Sequence, residues 1–165
     1  MSEFLQDRRV HLKFNNILSK ARGQLVGVPQ GLPILPVLSI IYTSPLLHLM
    51  KGWNSSLLGM YVNDGVIFAC AKEWGEVTNL LQSRYRVCME WLWKSGLAIE
   101  PDKTELMFFQ RPYACNPTPR PSQLALPDPI GDAQYLVKLV EVIRYLGIFF
   151  HWCLKWEPHV KIMAN

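Results

Sequence analysis

The stretch YVNDGVIFAC, residues 61–70, places the carboxylate of Asp64 beside the amide of Asn63. Two apolar arms, residues 59–62 and 66–69, flank Asn63-Asp64-Gly65. An Asp-Gly pair between such arms predicts a tight hairpin, because both residues tolerate positive φ. Two roles fit the carboxylate at its tip. It shapes the turn, or it is half of a metal-binding pair whose other half has become an amide. A hard metal cation takes charged oxygen ligands, so the second role calls for more than one carboxylate. His151, Cys153 and His159 also carry metal-ligating atoms, but three ligands at that irregular spacing match no usual zinc site.

Whatever holds these residues must be a single modest core. The chain has 165 residues, 50% of them hydrophobic, which leaves no room for two substantial domains. A net charge of +4 is compatible with nucleic-acid contact but does not argue for it alone. The charge is uneven: Arg8, Arg9, Lys13, Lys20 and Arg22 face only Glu3 and Asp7 in the first stretch. Cys70, Cys88, Cys115 and Cys153 are widely spaced, with no CxxC and no secretory leader ahead of them. That pattern predicts reduced thiols in an intracellular protein.

Residues 23–50 carry no formal charge and are long enough to cross a bilayer. Pro29, Pro33, Pro36 and Pro45 interrupt them, polar side chains are scattered through them, and no basic cluster flanks either end. The expectation is a buried loop followed by a helix, and no membrane span.

The remaining elements follow from periodicity. Val10, Leu12 and Phe14 alternate with polar residues ahead of Asn15-Asn16, which predicts strand, turn and returning strand. A helix is expected from about Pro36 to His48, distorted or ended near Pro45. Val77, Leu80, Leu81, Tyr85, Cys88, Trp91 and Leu92 mark one apolar face of a helix over 73–95, closed by Lys94 and a left-handed Gly96. Trp74, Trp91 and Trp93 read as packing residues. Residues 103–109 read as a strand and the proline-rich 111–132 as an irregular loop. Residues 143–150 read as a further strand, paired near Leu136-Val137. A last helix opens at Glu157-Pro158.

Five stretches in order resemble the reverse transcriptases of non-LTR retrotransposons, particularly the fungal kind. They are GVPQGLPILPVL (27–38), MYVNDGVIFA (60–69), GLAIEPDKTELMFF (96–109), IRYLGIFF (143–150) and LKWEPHVKIMAN (154–165). The resemblance implies an α+β fold, a partial palm with an antiparallel sheet and helices on one face. It assigns residues 1–153 to that palm and 154–165 to the beginning of a thumb helix. It also implies an RNA-directed DNA polymerase ancestry (a nucleotidyltransferase), an RNA template and DNA primer as partners, and a nuclear setting.

The same resemblance assigns roles. In the family the hairpin reads Tyr/Phe-x-Asp-Asp, and its first aspartate joins one from an earlier strand to hold two Mg²⁺ ions. Here that first position is Asn63, and only Asp64 is acidic. The residues before Gly27 contain no FxxxDxxxAFD-like stretch. Each lost charge pair near 4 Å is worth about 4 kcal/mol at an effective dielectric of 20, and more against a divalent ion. The resemblance therefore implies an ancestral Mg²⁺ site at Asp64 that is not productive in this chain alone. Pro29, Gln30, Gly31 and Tyr61 fall where the family holds nucleotide and template, although serines of its PQGSPxSP loop are Leu32 and Leu35 here. Lys103 matches a lysine associated with the leaving pyrophosphate; a solvated lysine opening a strand is the plainer reading. Tyr145, Leu146 and Gly147 resemble the primer grip, where glycine allows close backbone approach. The alternative function is a non-catalytic palm relic that binds nucleic acid or a partner protein.

Overall fold

The computed structural model describes residues 6–24, 27, 31, 33–109, 121–128 and 134–164. The chain divides into two units, Met1–Ser39 and Ile40–Asn165. In the first, β1 (Arg9–Val10) pairs with β4 (Arg22–Gly23), and β2 (Lys13–Phe14) pairs with β3 (Ile17–Leu18). Asn15 and Asn16 turn the chain at φ 44° and 64°, the left-handed region that asparagine tolerates. The Ser19 hydroxyl oxygen accepts the Leu12 N–H at 2.9 Å, bridging the gap between the two ladders. The predicted strand–turn–strand is present, but Leu12, Phe14, Ile17 and Leu18 on it are exposed.

Helix α1 (Leu35–Leu49) runs through Pro45 and ends one turn later. Proline lacks the N–H that would bond the carbonyl four residues back. That carbonyl belongs to Ile41, and the Ser44 hydroxyl donates to it at 3.0 Å. A side chain thus replaces the missing backbone donor, which is why the helix continues. The predicted burial of this helix does not hold, and much of the predicted loop before it lies outside the described residues. Thr43 and Leu46 are buried, while Val37, Ile40, Ile41, Tyr42, Leu47 and Leu49 are exposed. An α-helix apolar on all sides needs cover on more than one face, and among the described residues α1 has it on one. Among the described residues, no helix is long and apolar enough to cross a membrane.

Strands β5 (Ser56–Tyr61) and β6 (Asp64–Ala69) form an antiparallel hairpin. Helix α2 (Trp74–Lys94) follows and buries Val77, Tyr85, Cys88, Met89 and Leu92 at helical spacing. Its end matches the expected left-handed cap: Gly96 sits at φ 69°. The Gly96 N–H donates to Trp93 and the Leu97 N–H to Leu92, the paired bonds of a Schellman motif. Trp74 packs on Phe108 with ring centroids 5.0 Å apart, and Trp74 and Trp91 lie against the core. Trp93 is instead exposed.

Beyond α2 the structure corrects several expectations. Residues 103–109 form no strand: a 3-10 turn covers Pro101–Lys103 and Leu106 makes a single parallel bridge to Leu139. Leu106 and Phe108 are nonetheless buried in alternation, so the period-two pattern reports burial rather than a ladder. Part of the proline-rich stretch is β7 (Gln123–Pro127), which pairs with β8 (Gln134–Lys138). Leu136 and Val137 therefore oppose Ala125 and Leu124, not residues 143–150. Those residues are themselves a hairpin, β9 (Val142–Tyr145) and β10 (Ile148–His151). Helix α3 (Glu157–Met163) begins where predicted and packs on β10.

The architecture is α+β, as expected. The single palm sheet is not what the described residues show: their strands form five separate two-stranded antiparallel sheets. One apolar cluster in the second unit draws on α1, α2, β7, β8 and the Leu106–Phe108 segment.

Candidate functional site

The β5–β6 register sets the geometry of the acidic tip. Tyr61 pairs with Asp64, so the turn is Val62-Asn63 and not the predicted Asn63-Asp64-Gly65. Val62 takes φ 56°, a region that a β-branched side chain rarely occupies. Asp64 and Gly65 belong to the strand. The sequence signal failed here because valine reads as a strand former, while pairing further down the hairpin decides which residues turn.

Directly paired residues share a face, and the faces alternate along each strand. Ser56, Leu58, Met60, Gly65, Ile67 and Ala69 occupy one face, and Leu58, Met60, Ile67 and Ala69 pack on the core. Leu57, Gly59, Tyr61, Asp64, Val66 and Phe68 occupy the other. Tyr61 is 61% exposed, with Asp64 beside it also exposed. Gly59 allows the strands to close here, since a Cβ on it would stand 3.2 Å from Cγ1 of Val66.

Helix α2 holds the open end of the hairpin. Nε of Arg84 donates to the Ser56 hydroxyl at 3.0 Å, and its guanidinium lies 3.8 Å from the centre of the Trp53 ring. The Cys70 N–H donates to the Ser55 carbonyl at 2.8 Å. Packing of β6 on α2 completes the clamp. Arg84 was not among the sequence-predicted residues, and its supporting role is visible only once the hairpin and helix are placed together.

The other predicted residues fall on separate elements. Lys103 is the last residue of the 3-10 turn, exposed, and no ion pair joins it to Asp64 among the described residues. Tyr145, Leu146 and Gly147 form the tip of the β9–β10 hairpin, with Tyr145 opposite Ile148 and positive φ at Leu146 (50°) and Gly147 (83°). Pro29 and Gln30 lie outside the described residues; Gly31 has φ 95° in the first unit.

The chemistry of the donor set decides what this tip can hold. Asp64 and the Asn63 amide offer one charged oxygen ligand group and one neutral one. Among the described residues, no group of three or more His, Cys, Asp and Glu side chains could hold a metal ion. The residues present do not fit a magnesium ion by themselves. His159 uses Nδ1 to accept the Phe149 N–H at 3.2 Å, whereas His151 contacts Cys153.

Comparison with known proteins bears on what the tip belongs to. Over 165 residues the chain is 25% identical to "Probable RNA-directed DNA polymerase from transposon BS" of Drosophila melanogaster. That alignment covers 98% of this chain and 17% of the relative, so the chain spans about a sixth of the relative's length. No solved structure matches it. Residues 1–150 match the family described as reverse transcriptase (RNA-dependent DNA polymerase), and the chain belongs to that family.

Proposed function

We propose that the chain is the later palm segment of a non-LTR retrotransposon reverse transcriptase of the fungal type, with residues 154–165 opening its thumb. The activity of the longer protein is then RNA-directed DNA synthesis on an RNA template and DNA primer, in the nucleus. The observation that carries this reading is the exposed Tyr61–Asp64 pair at the end of a tight hairpin, inside the family match. Asp64 takes the place of the second acidic residue of the family's hairpin, and Asn63 that of the first. Tyr61 and the residues Pro29, Gln30 and Gly31 serve the nucleotide and template, Lys103 the leaving pyrophosphate, and Tyr145–Gly147 the primer.

Magnesium, the family's metal, would need carboxylates from outside this chain to join Asp64. The isolated chain is accordingly inactive. Primer extension on an RNA template with Mg²⁺ or Mn²⁺ tests this, and incorporation of labelled nucleotide above an Asp64→Ala control would overturn it.

A non-catalytic relic that binds nucleic acid is the second reading. It is favoured by the amide at Asn63 together with the basic residues Arg8, Arg9, Lys13, Lys20 and Arg22 on the β1–β4 hairpins. Phosphate contacts by those side chains predict affinity that falls steeply with added salt. Binding that is indifferent to salt would exclude it.

A further inference from the structure

The polymerase reading makes no use of a thiol–imidazole contact at the end of β10. Sγ of Cys153 lies 2.9 Å from Nδ1 of His151, and both residues are half-buried. The backbone N–H of Cys153 also points to the same Nδ1, at 3.4 Å. A backbone N–H can only donate, so Nδ1 carries the lone pair and the imidazole proton sits on Nε2. The thiol is then the donor in the shorter contact, aimed at an unprotonated base. That is the arrangement in which a neighbouring base activates a sulfur nucleophile.

Other contacts hold the pair in place. The His151 ring lies against Trp152, with centroids 5.6 Å apart, and the Trp152 N–H donates to the Glu141 carbonyl at 3.1 Å. His151 pairs with Val142 across the hairpin. The titratable groups on the elements packed against β10 are Arg144 and Tyr145 on β9 and Glu157, His159 and Lys161 on α3. Glu157 and Lys161 pair with each other at 2.7 Å, and Nδ1 of His159 is taken by Phe149. His151 is the base in contact with the thiol.

We propose that Cys153 is a modification site, a His151-activated thiol that exchanges with low-molecular-weight disulfides. In the step, Sγ of Cys153 attacks one sulfur of the small disulfide and its proton passes to Nδ1 of His151. A new S–S bond forms, the original one breaks, and the other half leaves as a thiolate. No further oxidant or reductant enters the balance.

The chain contains its own controls. Among the described residues Cys70 is exposed and free, and Cys88 is free and buried. Burial pushes the Cys88 thiol up to about 12, which keeps it protonated and inert near neutral pH. The experiment treats the full chain, with Cys115→Ser, with oxidised glutathione at neutral pH and follows each cysteine peptide by mass spectrometry. Cys153 is expected to be modified on the order of ten times faster than Cys70 despite its lower exposure. His151→Gln should bring Cys153 to or below the Cys70 rate while leaving Cys70 unchanged. Cys88 monitors folding, since it stays unmodified only while the core is closed. Should His151→Gln open the core, the Cys153-to-Cys70 ratio in the unsubstituted histidine chain decides alone. A ratio at or below one there, or a Cys153 rate untouched by His151→Gln in a chain with Cys88 protected, overturns the proposal.

Discussion

Tyr61 and Asp64 face each other across the narrow end of the β5–β6 hairpin, with Val62 and Asn63 alone between them. The pairing puts an aromatic ring and a carboxylate on the same exposed face, while the opposite face packs on the core. A turn so short forces the residue after Tyr61 into the left-handed region. The tip is therefore strained at Val62 and chemically asymmetric at Asn63-Asp64.

That strain is measurable. A β-branched residue at positive φ costs on the order of 1–3 kcal/mol, and glycine removes the cost while adding about 0.5–1 kcal/mol of unfolded-state entropy. Val62→Gly should raise stability by roughly 1 kcal/mol, read as a higher urea midpoint. A lower midpoint would mean that contacts of the valine side chain outweigh its backbone strain.

The Ser44–Pro45 pair makes a second prediction. Ser44→Ala leaves the Ile41 carbonyl without its hydroxyl donor, at a cost of about 1 kcal/mol. In a Pro45→Ala background the restored N–H of residue 45 can bond that carbonyl, so Ser44→Ala should cost almost nothing. The four urea midpoints of this double-mutant cycle give the coupling directly. Equal costs in both backgrounds would show that the hydroxyl is not the substitute donor.

Stability should also fall in alkali, with a defined sign. Burial raises the Cys88 thiol from 9.0 to about 12. Burial, followed by the hydrogen bond with Tyr135, raises the Tyr85 phenol above its ordinary value of 10.0. Both groups hold their protons more tightly when folded. Their contribution is complete below pH 9 and is lost as pH rises through the folded values, first through Cys88 and then through Tyr85. Cys88→Ala should lower stability at neutral pH by leaving a cavity, yet flatten its fall between pH 9 and 10, where Tyr85 has scarcely begun to contribute. Urea midpoints measured across that range check it; an unchanged slope would remove Cys88 from the account.

What the sequence made legible was local. The Asn15-Asn16 turn, the span of α2 and its Gly96 cap each depend on side chains within a few residues, and each is found where expected. Pairings set by distant partners were not legible. Leu136 and Val137 pair with β7, and residues 143–150 close on themselves because Leu146 and Gly147 adopt a tight turn. At the candidate site, the types and order of Tyr61, Asn63 and Asp64 were readable, and the hairpin was expected. Its register was not, since a slip of one residue exchanges the two faces without changing composition. Arg84, which ties α2 to the hairpin, sits in an amphipathic helix where an arginine looks like any solvated charge.

On the proposed reading, Asp64 is one ligand of a metal site that is incomplete in this chain. The most direct measurement is Mg²⁺ titration by calorimetry on four folded proteins: the chain, its Asn63→Asp variant, the chain with a grafted palm strand bearing an aspartate, and the graft with Asn63→Asp. Asn63→Asp alone should gain little, because it sets two like charges side by side and raises one carboxylate's pKa. The combined protein should bind Mg²⁺ more tightly than the sum of the separate changes allows, since the ligands act together around one ion. Equal, weak binding in all four would contradict it and leave the Val62–Asp64 tip as a turn and nothing more.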